Sequence, residues 1–271
     1  MDTSAYLARI NYAGPTAPTE ATLRALHRAH MLSAPFENLD IGRGVPIVLD
    51  LERLYDKIVS RRRGGFCYEL NGLFAELLRA VGYDVSLLSA QVFSSGQAGP
   101  EFAHLVLLVR GGGLSEPFLA DVGFGASYLE PLRLVADVEQ DDPAGAFRLV
   151  RAGGDWQMQA RDEARAWQPQ HAFTLAPRQL ADFAEMCRYQ QTSPDSHFTQ
   201  KRICSRATPE GRISLSDNRL IVTRHGRREE RELADEPAVL AALRDHFEVN
   251  LSNRSVDPAR HSLTPRRALH P

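Results

Sequence analysis

The stretch RRRGGFCYELNGLF, residues 61–74, sets two glycines, a lone cysteine and the start of a helical pattern side by side. From Phe66 the apolar residues Leu70, Leu73, Phe74, Leu77, Leu78 and Val81 recur at helical spacing as far as Gly82. That predicts an amphipathic helix closed by a left-handed glycine. Cys67 falls in its first turn, where free N–H groups and the helix dipole favour an anion, so a thiolate is expected to be stabilised there. Gly64 and Gly65 are expected to turn the backbone sharply and leave the sulfur uncrowded. A small buried hydrophobe is the other fate open to a free cysteine.

Working outward, Thr19–His30 carries Leu23 and Leu26 on one face, and Leu49–Ser60 carries Leu51, Leu54 and Ile58, so the chain begins as helices. Beyond Gly82 the period shortens. Residues 84–94, 104–110 and 117–124 read as strands, and 147–161 as a hairpin turning at Gly153-Gly154. Such a run suggests a β-barrel or curved antiparallel sheet. Ala176–Tyr189 reads as a helix with Pro177 near its first turn, and 198–208 and 211–226 return to strands. Asp235 caps a helix to Phe247, and the polar, basic residues after it read as a loose tail. The order is that of an α+β protein with two or three lobes.

The chain has 271 residues, 43% hydrophobic and 24% charged, with formal net charge −2, which argues for neither nucleic acid nor an anionic membrane as a partner. Its three cysteines, Cys67, Cys187 and Cys204, form neither a disulfide framework nor a CxxC zinc pattern, so a reducing, cytoplasmic compartment is expected. The N-terminus lacks the features of a signal peptide, and apolar runs such as LVLLV at 105–109 are strand-length. Cys187 and Cys204 read as core thiols. His27 and His30 lack a third ligand at metal-binding spacing and are expected on a solvated helix face.

A thiolate nucleophile needs a base, and the base needs an orienting acceptor. His104 opens the strand HLVLLV on the face of Val106 and Leu108, and Asp121 ends FLAD just before VGFG. Taken singly, these are a core histidine and a turn former. The turn RGGGLSEP makes the two strands hairpin partners, which sets the start of one beside the end of the other. Cys67, His104 and Asp121 are therefore the candidate catalytic group. Glu37 and Arg63 are expected to form a buried ion pair that locks the nucleophile loop against the first lobe.

Together RGGFCYELNGLF, AHLVLLV, ADVGFG, SAPFENLDI at 33–41 and QTSPDSHF at 191–198 resemble the arylamine N-acetyltransferase family, in that family's order. The resemblance implies a helical N-terminal lobe, a central β-barrel and a C-terminal α/β lid around a papain-like Cys-His-Asp core. We expect the nucleophile in 1–83, the base and carboxylate in 84–200, and the lid with its tail in 201–271. It also implies that acetyl-CoA is a co-substrate, with no permanently bound cofactor, and that Cys67, His104 and Asp121 act as the triad. The acceptor would be an arylamine, arylhydrazine or N-hydroxyarylamine, and the protein a monomer or homodimer. Phe124, Phe36 and Phe66 are candidates for an aromatic acceptor slot. The stretch before His104, including Gly99 and Ala103, offers N–H groups to coenzyme A, and the resemblance adds Tyr189, Ser196, His197 and Phe198. A simple Ser- or Asx-type turn is the alternative for that last loop. The competing function is a papain-like cysteine hydrolase or transglutaminase.

Overall fold

The computed structural model describes residues 1–251; the expected tail lies outside the described residues. Residues 1–81 are mainly helical. α1 (Thr3–Arg9) and α2 (Glu20–Ser33) start on Asp2 and Thr19, whose side chains accept from the N–H groups of Ala5 and Thr22. β1 (Phe36–Glu37) and a single turn, α3 (Leu39–Gly42), follow. The helix expected over 49–60 is divided: α4 (Leu51–Tyr55) runs into a wider π-helical turn, Asp56–Ser60, that holds the buried Lys57. α5 (Cys67–Val81) is the predicted nucleophile helix, and Gly82 ends it at φ +112°.

The barrel begins with β2 (Asp84–Ser94), the two-residue β3 (Gln97–Ala98), β4 (His104–Arg110) and β5 (Phe118–Ala120). It continues through β6 (Leu132–Arg133), β7 (Glu139–Asp142), β8 (Gly145–Ala152), β9 (Asp155–Arg161) and β10 (Trp167–Arg178). The order is β6-β5-β4-β2-β10-β9-β8-β7, with β3 against β2. The Gln140 side chain links β7 to β6, accepting from Arg133 N–H at 2.8 Å and donating to its carbonyl at 3.1 Å, so the sheet is nearly closed. Both faces of β4 are buried. Val106 and Leu108 join Leu88, Leu119, Phe147 and Met158 inside the barrel, while Leu105, Leu107 and Val109 pack with the α5 core.

Two readings are corrected. The helix expected over 176–189 starts later, as a 3₁₀ turn (Leu180–Phe183) and α6 (Ala184–Thr192). Pro177 belongs to β10 opposite Leu88, beyond a register shift that accommodates its missing donor. The strand expected over 117–124 is only the three residues of β5, which leaves Asp121 just outside the ladder.

After the short α7 (His197–Gln200), β11 (Ile203–Thr208), β12 (Gly211–Ser216), β13 (Arg219–Arg224) and β14 (Arg227–Glu232) form a second antiparallel sheet with β1 at its edge. α8 (Glu236–Phe247), capped by Asp235, buries Val239, Ala242, Leu243 and Phe247 against it. No helix among the described residues is long and apolar enough to cross a membrane.

The nucleophile loop is held by buried charge. Arg63 lies 2.7 Å from Glu37 and 3.0 Å from Asp40, and Lys57 lies 2.9 Å from both Asp40 and Glu69. Arg9, also buried, donates to the carbonyls of Ser33, Ile58, Arg62 and Arg63. The glycines serve close approach rather than a left-handed turn: a Cβ on Gly64 would stand 1.9 Å from the Pro35 carbonyl oxygen.

Candidate active site

Three elements bring the expected group together. Cys67 is the first residue of α5 and 3% exposed, His104 opens β4 at 2%, and Asp121 follows β5 fully buried. His104 Nε2 lies 2.7 Å from Asp121 Oδ2. The Cys67 sulfur faces the backbone N–H groups of Tyr68 and Leu105, which places it against the residue following His104. A Cβ on Gly123 would lie 2.8 Å from Cys67 Cα and 3.0 Å from its carbonyl oxygen. The backbone after Asp121 therefore packs directly onto the nucleophile. The structure thus gathers all three residues from positions far apart in the chain.

The helix start is one of two opposing influences on the sulfur. Burial pushes the Cys67 thiol well up and Asp121 adds to this, against the smaller pull of the Tyr68 and Leu105 N–H groups. In so dry a site a thiolate needs a cation beside it. Asp121 behaves in the opposite sense: burial would raise its carboxyl, but His104 and the Asn71 side chain outweigh that and hold it below the usual range.

Sequence reasoning missed the supports of this group. Asn71, one turn after Cys67, donates to Asp121 Oδ1 at 2.8 Å and to the Leu105 carbonyl at 2.7 Å, and accepts from Val122 N–H at 2.9 Å. A polar residue on the apolar face of α5, at i+4 from the cysteine, was the available signal. His27 and His30 are buried, not solvated. His27 accepts the Asp121 N–H at 3.1 Å, so its Nδ1 donates to the Leu129 carbonyl at 2.8 Å. His171, on β10, is buried beside His104 with ring centroids 5.6 Å apart. No signal pointed to it, because β10 was not read as a strand.

The other candidates divide. Phe124 is half-buried with its ring edge-on to His104 at 5.1 Å, and Phe36 is half-buried beside Gly125. Phe66 is fully buried against Tyr68 and Phe198, so it packs beneath the site rather than lining an open slot. Ala103 and Phe102 present carbonyls to the Tyr68 hydroxyl at 3.2 and 2.7 Å, and Gly99 pairs with Val92 across the β2–β3 turn. Tyr189 and His197 are exposed, and Phe198 packs against Phe36. Ser196 is buried, accepts the Phe198 N–H and donates to Gln190. Cys187, buried at the start of α6, is pushed up to about 12 by burial, and Cys204 also rises, as inert core thiols do.

Two predictions arise here. Gly123→Ala forces the loop away from the Cys67 backbone, and a misplacement on the order of 1 Å should slow transfer roughly 10²-fold. Turnover per folded molecule, with folding checked by circular dichroism, measures this; an unaffected rate contradicts the close packing. The second concerns pH. Burial lowers His27, His30 and His171 below 6.5, so below that pH the unfolded chain binds more protons than the folded one. Stability should be greatest above pH 6.5 and fall as pH drops toward the lowered folded values. Each histidine contributes up to about 1.4 kcal/mol per pH unit in that window. Urea midpoints at pH 7.5 and 5.5 check this, and equal midpoints would refute it.

A family model described as N-acetyltransferase matches residues 19–256. The chain is 37% identical over 263 residues to an arylamine N-acetyltransferase of Escherichia coli (strain K12), covering 96% of this chain and 91% of that one. It is 37% identical over 258 residues to one from Mycolicibacterium smegmatis, covering 93% and 94%. The fold is similar to the solved structure of the Mycobacterium marinum arylamine N-acetyltransferase in complex with CoA, with TM-score 0.87, 36% identity and coverage of 92% and 93%. The Salmonella typhimurium structure aligns with TM-score 0.88 at 33% identity, covering 97% and 94%.

Proposed function

The chain belongs to the arylamine N-acetyltransferase family, and from that premise we propose how it moves an acetyl group from acetyl-CoA to the nitrogen of an aromatic amine. The observation that carries the mechanism is the 2.7 Å contact of His104 Nε2 with Asp121 Oδ2 beside the buried Cys67. His104 takes the thiol proton as Cys67 attacks the thioester carbonyl, and coenzyme A leaves as its thiol. The step passes through a Cys67 thiolate–imidazolium pair, in which the His104 cation offsets the burial that disfavours a lone thiolate. Asp121 holds the ring and stabilises its positive charge. The acetyl-cysteine is then attacked by an arylamine, arylhydrazine or N-hydroxyarylamine, with His104 as general base, which makes the kinetics ping-pong.

Backbone N–H groups at Cys67 and near Ala103 serve the developing oxyanion. Phe124 and Phe36 line the acceptor slot, where exclusion of water protects the acetyl-enzyme from hydrolysis. Gly99 and Ala103 on one side, and Tyr189, His197 and Phe198 on the other, contact coenzyme A, while the Ser196 hydroxyl sets the turn that presents His197. We assign the nucleophile lobe to 1–83, the barrel lobe to 84–200 and the lid to the residues beyond, and we place the protein in the reducing cytoplasm. The test is intact-mass spectrometry after incubation with acetyl-CoA, followed by addition of an arylamine. One acetyl group should appear and then pass to the amine. Cleavage of an amide or ester substrate without an acetyl adduct would favour the hydrolase.

A further inference from the structure

His171 is fully buried, yet among the described residues neither of its ring nitrogens has a hydrogen-bond partner. Its ring lies among aromatic rings, 5.4 Å from Phe124 and 5.8 Å from Phe173 between centroids. A phenylalanine would fill such a place without leaving a polar group buried and unpaired. The polar ring therefore needs a reason, and its neighbour supplies one. Asp121 Oδ1 accepts from Asn71 at 2.8 Å and from Gly123 N–H at 2.9 Å, whereas Oδ2 accepts, among the described residues, from His104 alone. One acceptor position on Oδ2 is open. His171 Nε2 stands 3.9 Å from that oxygen, and a shift of about 1 Å brings it within hydrogen-bond range.

We propose that His171 is a positioning residue of the transfer reaction: its Nε2–H is the second donor to Asp121 Oδ2 and, through the carboxylate, sets the basicity of His104. The inference rests on the function proposed above. Burial, aided by the neighbouring His104, lowers His171 to about 3, so the ring is neutral in the working range and acts as a dipole rather than a titrating switch. A donor on Oδ2 draws charge away from the side facing His104. Without it, Asp121 holds the imidazolium more tightly and His104 becomes the stronger base.

Transfer of the acetyl group from Cys67 to the amine isolates this effect, because the acylated sulfur cannot titrate. The other titratable groups facing the pair are His27 from α2 and Tyr128 from the segment after β5, and neither is altered. The measurement is the pH profile of that half-reaction in the full chain, with one arylamine, for wild type, His171→Phe, His171→Met and His171→Gln. The acid limb should move upward by about one pH unit in the Phe and Met variants, which lack a donor, and return in the Gln variant, which keeps one. Either donor-free variant suffices if the other does not fold. An unmoved limb in a folded donor-free variant overturns the inference, as does a Gln variant that behaves like Phe. A uniform loss of rate at every pH marks a packing role and also overturns it. If wild-type protein takes no acetyl group, the underlying function fails, and the inference with it.

Discussion

Cys67→Ser should abolish the acetyl adduct and lower arylamine acetylation by roughly 10⁴-fold or more, while leaving the fold intact. Serine fits where the sulfur sits, since Cys67 is buried among core residues and keeps its place at the first turn of α5. What is lost is nucleophilicity. An alcohol has no accessible anion, and the burial that already raises the thiol would penalise an alkoxide further. Cys187→Ser and Cys204→Ser should leave acetylation present, because the Cys187 sulfur is held by the Gln191 side chain and Cys204 packs in the core beneath α8. Intact mass after exposure to acetyl-CoA distinguishes the three. A Cys67→Ser protein that still acquires one acetyl group would remove Cys67 from the mechanism.

Arg63→Ala should cost about 3–5 kcal/mol of stability with little change in transfer per folded molecule. Its guanidinium, 4% exposed, contacts Glu37 at 2.7 Å and Asp40 at 3.0 Å, so its removal strips Glu37 of that partner and leaves Asp40 sharing Lys57 with Glu69. That loss is a large fraction of the total stability of an ordinary domain. The backbone beneath it is held independently, by Arg9 to the Arg63 carbonyl and by the Arg63 N–H to Lys57. Arg61→Ala is the control: its pair with Asp56 is exposed, and stability should change by no more than about 0.5 kcal/mol. Urea midpoints, set beside acetylation rates normalised to folded protein, separate the two effects. A stable but inactive Arg63→Ala protein would show instead that Arg63 takes part in the reaction.

What could be read before the structure was what short-range pattern encodes. The period of α5, the left-handed stop at Gly82, the Asp235 cap and the Gly153-Gly154 hairpin are local signals, and each formed where expected. The pairing of His104 with Asp121 followed from one tight hairpin, and the five ordered motifs led to the family. The misreadings share a cause. Pro177 resembled a helix start, but strand pairing with Leu88 across a bulge, a long-range interaction, decided its place. His27 and His30 looked solvated because polarity alone was read, whereas Asp121 and Tyr6 reach them from elsewhere in the chain.

The sequence by itself pointed to Cys67, His104 and Asp121 as the candidate nucleophile, base and orienter, because their chemistry is specific and their local spacing constrains where they can stand. Tertiary structure alone decided what surrounds them. Asn71 donates to the Asp121 carboxylate, His27 accepts its backbone N–H, His171 lies 3.9 Å from Oδ2, Gly123 lies against Cys67, and burial pushes the Cys67 thiol up. Desolvation and hydrogen bonding are properties of an enclosed volume. That volume exists only once α2, α5, β4 and β10 have closed around the opening RGGFC.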